Sequence, residues 1–228
     1  MTRTVLLTGS TGFVGKVVLE ELLRRRAELG VGRVLALVRA KDPEHAAARC
    51  RVDVYSSACF AALARGWEEI VEPLAGDITR PGFGLEPTAS ARVAAEVTHV
   101  IHCAASVEFT QPLADALAVN TRGALHAVEI ARACARLESY VGVSTAYVTP
   151  HPDPFGGGIH RVEEVLAPLP RDPEALYASL CAEGEDERRL LAETGHPNTY
   201  TFTKCLAEHL TVARTRDLPV TIVRPSIV

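Results

Sequence analysis

Short apolar runs alternate with longer amphipathic stretches along most of the chain. The apolar runs predict strands at residues 4–8, 33–38, 70–75, 97–103, 140–144 and 220–223. The amphipathic stretches predict helices at 13–29, 45–65, 88–96, 113–137 and 199–216. Nearly continuous apolar strands separated by helices are typical of a parallel sheet covered on both faces. The pattern therefore predicts an α/β domain with a doubly wound, mostly parallel, Rossmann-like sheet of six or seven strands.

One region, residues 149–197, departs from this alternation. It contains seven of the fourteen prolines, three consecutive glycines at 156–158 and an acidic cluster at 183–187. We expect an irregular excursion with one or two helices over the carboxyl ends of the strands. Ligands bind at that edge in doubly wound sheets.

Three glycines, Gly9, Gly12 and Gly15, follow the first predicted strand and open the first predicted helix. Such a turn lets backbone N–H groups and the positive end of a helix dipole approach a pyrophosphate. The alternative is a glycine-bearing turn of another α/β protein. We predict dinucleotide binding by the whole turn, which comprises Gly9, Ser10, Thr11, Gly12, Phe13, Val14 and Gly15.

The residues after the next strands bear on the choice of cofactor. Arg39 and Lys41 follow the second strand, where a basic side chain accommodates a 2′-phosphate, so they favour NADPH unless they are solvated loop charges. After the third strand, Asp77 either contacts adenine with Ile78 or caps a turn. Ala104 and Ala105 follow the fourth strand. Their small side chains allow either close approach of the cofactor or helix packing.

Tyr200 and Lys204 lie four residues apart in a predicted helix and therefore share one face. A nearby ammonium favours the phenolate, so we expect Lys204 to lower the pKa of Tyr200 and to make it a proton donor near neutrality. A hydroxyl of Ser144 or Thr145 would hydrogen-bond the developing oxyanion. Asn120 would order a water that links Lys204 to solvent, or it is an exposed or locally bonded side chain.

Composition narrows the class of protein. The chain has 228 residues, 47% of them hydrophobic, and a net charge of −4, which favours neither a nucleic-acid partner nor a membrane span. Its six cysteines form no Cys-x-x-Cys pair, so we expect reduced thiols and a cytoplasmic location. His99 and His102 lie three apart in a predicted strand and point to opposite faces, so we predict no metal site.

These segments together resemble the extended short-chain dehydrogenase/reductase superfamily, and within it the NAD(P)-binding domain of fatty acyl-CoA reductases and related thioester reductases. The resemblance is carried by residues 7–16, 76–78, 143–148, 197–204 and 223–228. It implies NADPH as cofactor and a Thr145, Tyr200 and Lys204 triad with Tyr200 as the acid. It also implies that Tyr200 and Lys204 contact the cofactor, that Val107 and Glu108 line an acyl channel, and that the nicotinamide lies near Pro225, Ser226 and Ile227.

The expected activity is NADPH-dependent reduction of a fatty acyl thioester of coenzyme A or acyl carrier protein to an aldehyde, with further reduction to an alcohol left open. Two alternatives remain. One is an extended short-chain reductase acting on a nucleotide-sugar or steroid carbonyl, and the other is a non-catalytic NADP(H)-binding module. We expect a single domain over residues 1–228 that ends before the substrate-binding region of such reductases. The oligomeric state is left open.

Overall fold

The computed structural model describes residues 2–150, 163–182 and 185–226. Six strands occur in these ranges: β1 (Arg3–Thr8), β2 (Val31–Arg39), β3 (Val71–Gly76), β4 (His99–His102), β5 (Ser139–Val143) and β6 (Val220–Val223). They form one sheet in the order β3-β2-β1-β4-β5-β6, with every neighbouring pair parallel. The carboxyl ends of all six strands therefore lie along the same edge of the sheet. The reversal of strand order falls between β1 and β4, where doubly wound sheets bind ligands.

The described residues form nine α-helices: α1 (Phe13–Arg24), α2 (Arg26–Leu29), α3 (Pro43–Cys50), α4 (Pro87–Glu96), α5 (Leu113–Ala116), α6 (Gly123–Ala133), α7 (Pro173–Ala182), α8 (Glu187–Thr194) and α9 (Thr199–Arg214). Helices α7 and α8 confirm the one or two helices predicted in the excursion. Residues 156–158 and the start of the acidic cluster lie outside the described residues. No helix in the described ranges is both long enough and apolar enough to cross a membrane.

Alternating side chains of the strands enter two separate cores. In β1, Leu6 packs with α4 and α6 on one face, whereas Val5 and Leu7 pack with α1 and α3 on the other. A third apolar cluster joins α5, α7, α8 and α9. Helices therefore cover both faces of a parallel sheet, which confirms the predicted fold class.

The bounds of two predicted helices in the amino-terminal half are wrong. The stretch 13–29 divides into α1 and α2 at Arg25. Helix α2 ends at Leu29, and the next residue, Gly30, has a φ of 67°, which glycine adopts readily. In the stretch 45–65, α3 continues into a π turn (Arg51–Tyr55), and the continuous helix ends there. Ser57 caps the short turn that follows by accepting from the Cys59 N–H. Serine competes with helix in this way because it bonds its own backbone neighbours.

The predicted helix at 113–137 is also too long and too regular. It consists of α5, a widened π turn (Leu117–Arg122) and α6, and it ends at Ala133. Beyond that point Ala135 N donates to Ala94 O and Glu138 N donates to Thr98 O, which turns the chain into β5. The π turn contains Asn120. A π turn within a helix often marks a functional position.

Candidate active site

The glycine turn forms a close contact between β1, α1 and the loop after β4. Gly9 has a φ of 74°, and a Cβ there would lie 2.7 Å from the backbone nitrogen of Ala104. A Cβ on Gly15 would lie 1.9 Å from the carbonyl oxygen of Gly9. Helix α1 begins after Gly12, and no described side chain caps it. Its first N–H groups and its dipole are therefore directed at the turn, as pyrophosphate binding requires.

A pocket of about 250 Å³ extends from this turn along the carboxyl edge of the sheet. Eight of the eighteen predicted cofactor residues line it, namely Gly9, Thr11, Gly12, Arg39, Asp77, Ile78, Ala104 and Ala105. Asp77 also serves its alternative role, since its Oδ1 accepts from the backbone N–H and the hydroxyl of Thr79 at 2.9 and 2.8 Å. The two interpretations of Asp77 are therefore compatible.

Nine other predicted cofactor residues in the described ranges do not line this pocket, namely Ser10, Phe13, Val14, Gly15, Lys41, Tyr200, Lys204, Pro225 and Ser226. Ser10 is fully buried, and its hydroxyl has no hydrogen-bond partner among the described residues. Phe13 is 66% exposed at the start of α1, where Val14 follows it. Lys41 lines a neighbouring pocket beside β3. At the turn, the pocket is thus lined by Gly9, Gly12 and Thr11 rather than by these side chains.

Arg49 on α3 is a pocket residue that the sequence analysis missed. Its guanidinium donates to the backbone carbonyl of Arg39 at 2.8 Å and to the Asp53 carboxylate at 2.9 Å. These bonds fix the end of β2 and place a second cation beside Arg39 in the lining of the pocket. The available signal was an arginine immediately before the buried Cys50, on the helix that follows β2.

Tyr200 lies in the first turn of α9, which Asn198 caps by accepting from the Thr201 N–H at 2.9 Å. Burial raises the pKa of the Tyr200 phenol, and the neighbouring Thr145 hydroxyl, just beyond β5, lowers it by a smaller amount. The Phe109 ring packs 5.7 Å from the Tyr200 ring. The predicted pair of phenol and hydroxyl is therefore assembled.

Lys204 does not produce the predicted effect on Tyr200. Its ammonium donates to the backbone carbonyl of Val143 at 2.5 Å, and the pKa of Tyr200 is raised rather than lowered. Lys204 is itself buried, and burial lowers its pKa to about 8 although the Glu208 carboxylate opposes this change. The expected lowering of the phenol pKa by Lys204 is therefore wrong for this arrangement, because the ammonium is directed at the end of β5.

Ser144 and Thr145 occupy different environments. Thr145 Oγ1 accepts from the Tyr147 N–H at 3.3 Å and faces Tyr200. The buried Ser144 hydroxyl has no hydrogen-bond partner among the described residues, and Ser144 lines a small pocket together with Lys204. Of the two predicted hydroxyls, Thr145 is the one beside the phenol.

Asn120 joins the loop after β4 to α9. Its Oδ1 accepts from Ser106 N at 2.8 Å, and its Nδ2 donates to Ser106 O at 3.1 Å and to Thr203 Oγ1 at 3.2 Å. Both amide hydrogens are therefore used within the protein. Asn120 is a buried, locally bonded side chain, and it holds Thr203, the residue before Lys204, against the loop after β4.

The segment after β6 lies beside the loop that carries Thr145. Ala146 N donates to Pro225 O at 2.8 Å, which places Pro225 and the exposed Ser226 at this edge. Ile227 lies outside the described residues. Val107 is 68% exposed and Glu108 is also exposed, in the loop that Asn120 anchors through Ser106.

Comparison with known proteins identifies the family. Residues 7–228 match the NAD-binding family model described as Male sterility protein. The chain belongs to this family. The chain is 34% identical over 235 residues to a putative fatty acyl-CoA reductase, CG8306, of Drosophila melanogaster and 34% identical over 236 residues to Fatty acyl-CoA reductase 1 of Gallus gallus. Each match covers 99% of this chain and 43% of the relative, so the chain spans less than half the length of these relatives.

Solved structures support the same family. The terminal R domain from the myxalamid biosynthetic pathway matches with a TM-score of 0.72 and 28% identity, over 99% of this chain and 49% of that one. The reductase domain of a nonribosomal peptide synthetase from Mycobacterium tuberculosis matches with a TM-score of 0.64 and 28% identity, over 100% of this chain and 48% of that one. Both share the Rossmann-like α/β architecture described above.

Proposed function

We propose that this chain is the NADPH-binding and catalytic part of a reductase that converts a fatty acyl thioester to an aldehyde. The observation that carries the proposal is the pairing of the Tyr200 phenol with the Thr145 hydroxyl at the sheet edge that also holds the glycine turn. The names of the relatives, which are fatty acyl-CoA reductases, support acyl-coenzyme A as the substrate, and a thioester of acyl carrier protein is the second form of substrate to be tested.

The roles of the residues follow from their positions. NADPH, when bound, supplies the hydride that reduces the thioester carbonyl carbon. Tyr200 donates its phenolic proton to the carbonyl oxygen, and the Thr145 hydroxyl stabilises the negative charge that develops there. The buried ammonium of Lys204, which donates to the Val143 carbonyl at the end of β5, anchors the helix that carries Tyr200. Collapse of the reduced thioester then releases the thiol and gives the aldehyde.

The proposed preference for NADPH is supported by two cations. Arg39 and Arg49 both line the pocket at the end of β2, where a 2′-phosphate on the adenine ribose would lie. Guanidinium groups bind phosphate through several N–H donors in one plane.

We further propose a cytoplasmic location, which is supported by six cysteines that are all free thiols.

The proposal is tested by single-turnover oxidation of NADPH with the longest native chain. Acyl-coenzyme A, acyl carrier protein thioester, a nucleotide-sugar and a steroid ketone are offered in turn. We expect oxidation with the thioesters and its loss in Tyr200→Phe, with cofactor binding retained. Tyr177→Phe, which changes a tyrosine of α7 that packs under Arg214, is the matched control and should remain active. Full activity of Tyr200→Phe, or turnover of the sugar or steroid alone, would contradict the proposal.

A further inference from the structure

A small pocket that shares no lining residue with the pocket beside the glycine turn is lined in part by Lys204. It has a volume of about 20 Å³, and its other lining residues come from β4, β5 with the following Ser144, β6, α6 and α9. A space of about 10–15 Å³ already holds one water molecule when it is measured as room for the centre of the water. The polar residues that line the pocket are His102, Tyr140, Ser144, Lys204, Glu208 and Thr211.

Two buried polar atoms of this lining have no hydrogen-bond partner among the described residues. They are Nε2 of His102 and Oγ of Ser144. The other ring nitrogen of His102 is bonded to the Thr8 hydroxyl at 2.9 Å, and that hydroxyl accepts from the Ala104 N–H at 3.1 Å. The imidazole ring is thus held at the end of β4 with its Nε2 left for another partner. Buried polar atoms are rarely left unpaired, because burial removes their bonds to water.

We propose that this pocket binds a single water molecule that bridges Ser144 Oγ and His102 Nε2 and accepts a hydrogen bond from the ammonium of Lys204. The ammonium has three donors, and its bond to Val143 uses one of them among the described residues. A buried water typically makes about three hydrogen bonds, which is the number available here. The imidazole can form this hydrogen bond as donor or as acceptor, since the role of its Nε2 depends on the tautomer.

This water site makes Ser144 and His102 positioning residues for Lys204. A hydrogen bond accepted from an ammonium favours the charged form and raises its pKa. Burial lowers the pKa of His102 to about 3, so the ring stays neutral and adds no competing charge. The titratable or charged groups that face Lys204 are His102 and Cys103 at the end of β4, Tyr140 on β5, and Glu208 on α9 with its partner Arg224 after β6.

The proposal rests on the proposed function for its catalytic meaning, but the site can be tested without turnover. The sequence has only three lysines, Lys16, Lys41 and Lys204. In the longest native chain labelled with ¹³C at lysine Cε, the Lys204 signal is identified by its loss in Lys204→Arg. Its titration is then followed by NMR between about pH 6 and pH 11, a range that spans the lysine pKa values expected here.

We expect Ser144→Ala to lower the Lys204 pKa by about one pH unit, since a hydrogen bond to a charged group is lost. Thr194→Val is the matched control, because it removes a buried hydroxyl that is bonded to Leu190 O on α8, outside this pocket. A Lys204 pKa that moves no further in Ser144→Ala than in the control overturns the proposal. A Tyr200→Phe variant that remains active would refute the catalytic role and leave this titration unaffected.

A second measurement does not depend on a variant. A crystal structure of the native chain at high resolution should show one water within about 3.2 Å of both Ser144 Oγ and His102 Nε2. Electron density without that water, in a site whose side chains are well defined, overturns the proposal.

Discussion

The ammonium of Lys204 donates a hydrogen bond of 2.5 Å to the backbone carbonyl of Val143, the last residue of β5. This bond fixes the middle of α9 against the carboxyl end of the sheet. It also holds a charge in a buried position, where burial lowers the Lys204 pKa to about 8. Burial of the charged ammonium should therefore lower the free energy of unfolding by a measurable amount.

Lys204→Met should raise the free energy of unfolding at pH 7 by about 2–3 kcal/mol while abolishing turnover. At pH 7 the lysine is charged in both the folded and the unfolded chain, so the whole difference in pKa opposes folding. The penalty falls as pH rises through about 8, where the folded form loses its proton, and it is gone above the pKa of the unfolded chain, about 10.4. Urea unfolding at pH 7 and at pH 10 measures both values.

Lys41→Met is the control for this comparison, because the Lys41 side chain is 79% exposed. It should change the free energy of unfolding by no more than about 0.5 kcal/mol at either pH. Equal stability of Lys204→Met and the native chain at pH 7 would show that burial of the ammonium is already compensated.

The fold and the location of the site could be predicted because both depend on local signals. The apolar run of β1, the glycine turn after Thr8 and the amphipathic stretch of α1 follow one another in sequence, so they predict a strand, a turn and a helix. The parallel arrangement then brings the ends of β1, β4 and β5 to one edge. That argument placed Ser144 and Thr145 at the edge of the glycine turn, whereas the choice of Thr145 as the partner of Tyr200 came from the resemblance to the reductase family.

The remaining features depend on contacts between distant residues. The direction of the Lys204 ammonium is set by Val143, which is 61 positions away, and no helical spacing contains that information. The same holds for Arg49, whose importance comes from its bond to the Arg39 carbonyl. Within the stretch predicted as a helix at 45–65, the Phe60 ring instead stacks on Trp67 with centroids 4.7 Å apart, a contact that the helical pattern does not contain.

Gly15→Ala and Gly12→Ala should separate the structural from the ligand-binding role of the turn. A Cβ on Gly15 would collide with the carbonyl of Gly9 at 1.9 Å, so we expect a loss of about 2 kcal/mol or more in stability. A Cβ on Gly12 meets that oxygen only at 3.3 Å, and Gly12 is exposed in the pocket lining. Gly12→Ala should therefore fold normally and bind NADPH at least tenfold more weakly.

Thermal unfolding and fluorescence titration with NADPH measure these two effects. The expected order is that Gly15→Ala has the lower Tm and that Gly12→Ala has a Tm close to that of the native chain. Unchanged NADPH affinity in Gly12→Ala would mean that the pyrophosphate does not approach this turn.

Arg39→Ala should weaken NADPH binding at least tenfold and leave NADH binding nearly unchanged. The two cofactors differ only in the 2′-phosphate, and a charge-assisted hydrogen bond contributes about 1.5–3 kcal/mol. Arg49→Ala should act in the same direction, since Arg49 both lines the pocket and holds the Arg39 backbone. Dissociation constants for both cofactors, measured by calorimetry, provide the test.

Lys41→Ala is the matched control, because Lys41 lines the neighbouring pocket beside β3. Its affinity for NADPH should stay within about threefold of the native value, which corresponds to less than about 0.7 kcal/mol. If Arg39→Ala weakens NADH and NADPH equally, Arg39 does not read the 2′-phosphate.

Asn120→Ala distinguishes two roles for the amide, a water-ordering group and a clamp. The clamp role requires the three hydrogen bonds to Ser106 and Thr203, all within buried or half-buried surroundings. Their loss should lower the free energy of unfolding by about 2–3 kcal/mol, because the partners left behind are desolvated. Thr203→Val removes only one of these bonds and should cost less than Asn120→Ala.

Turnover then separates the two roles. If Asn120 acts as a clamp, the loss of kcat in Asn120→Ala should accompany a loss of stability, and Thr203→Val should show a smaller loss of both. If Asn120 instead orders a water for proton supply, kcat should fall while the free energy of unfolding stays within about 0.5 kcal/mol of the native value. We expect the first result, because both hydrogens of the amide are already donated to protein oxygens and only acceptor capacity on Oδ1 is left for a water.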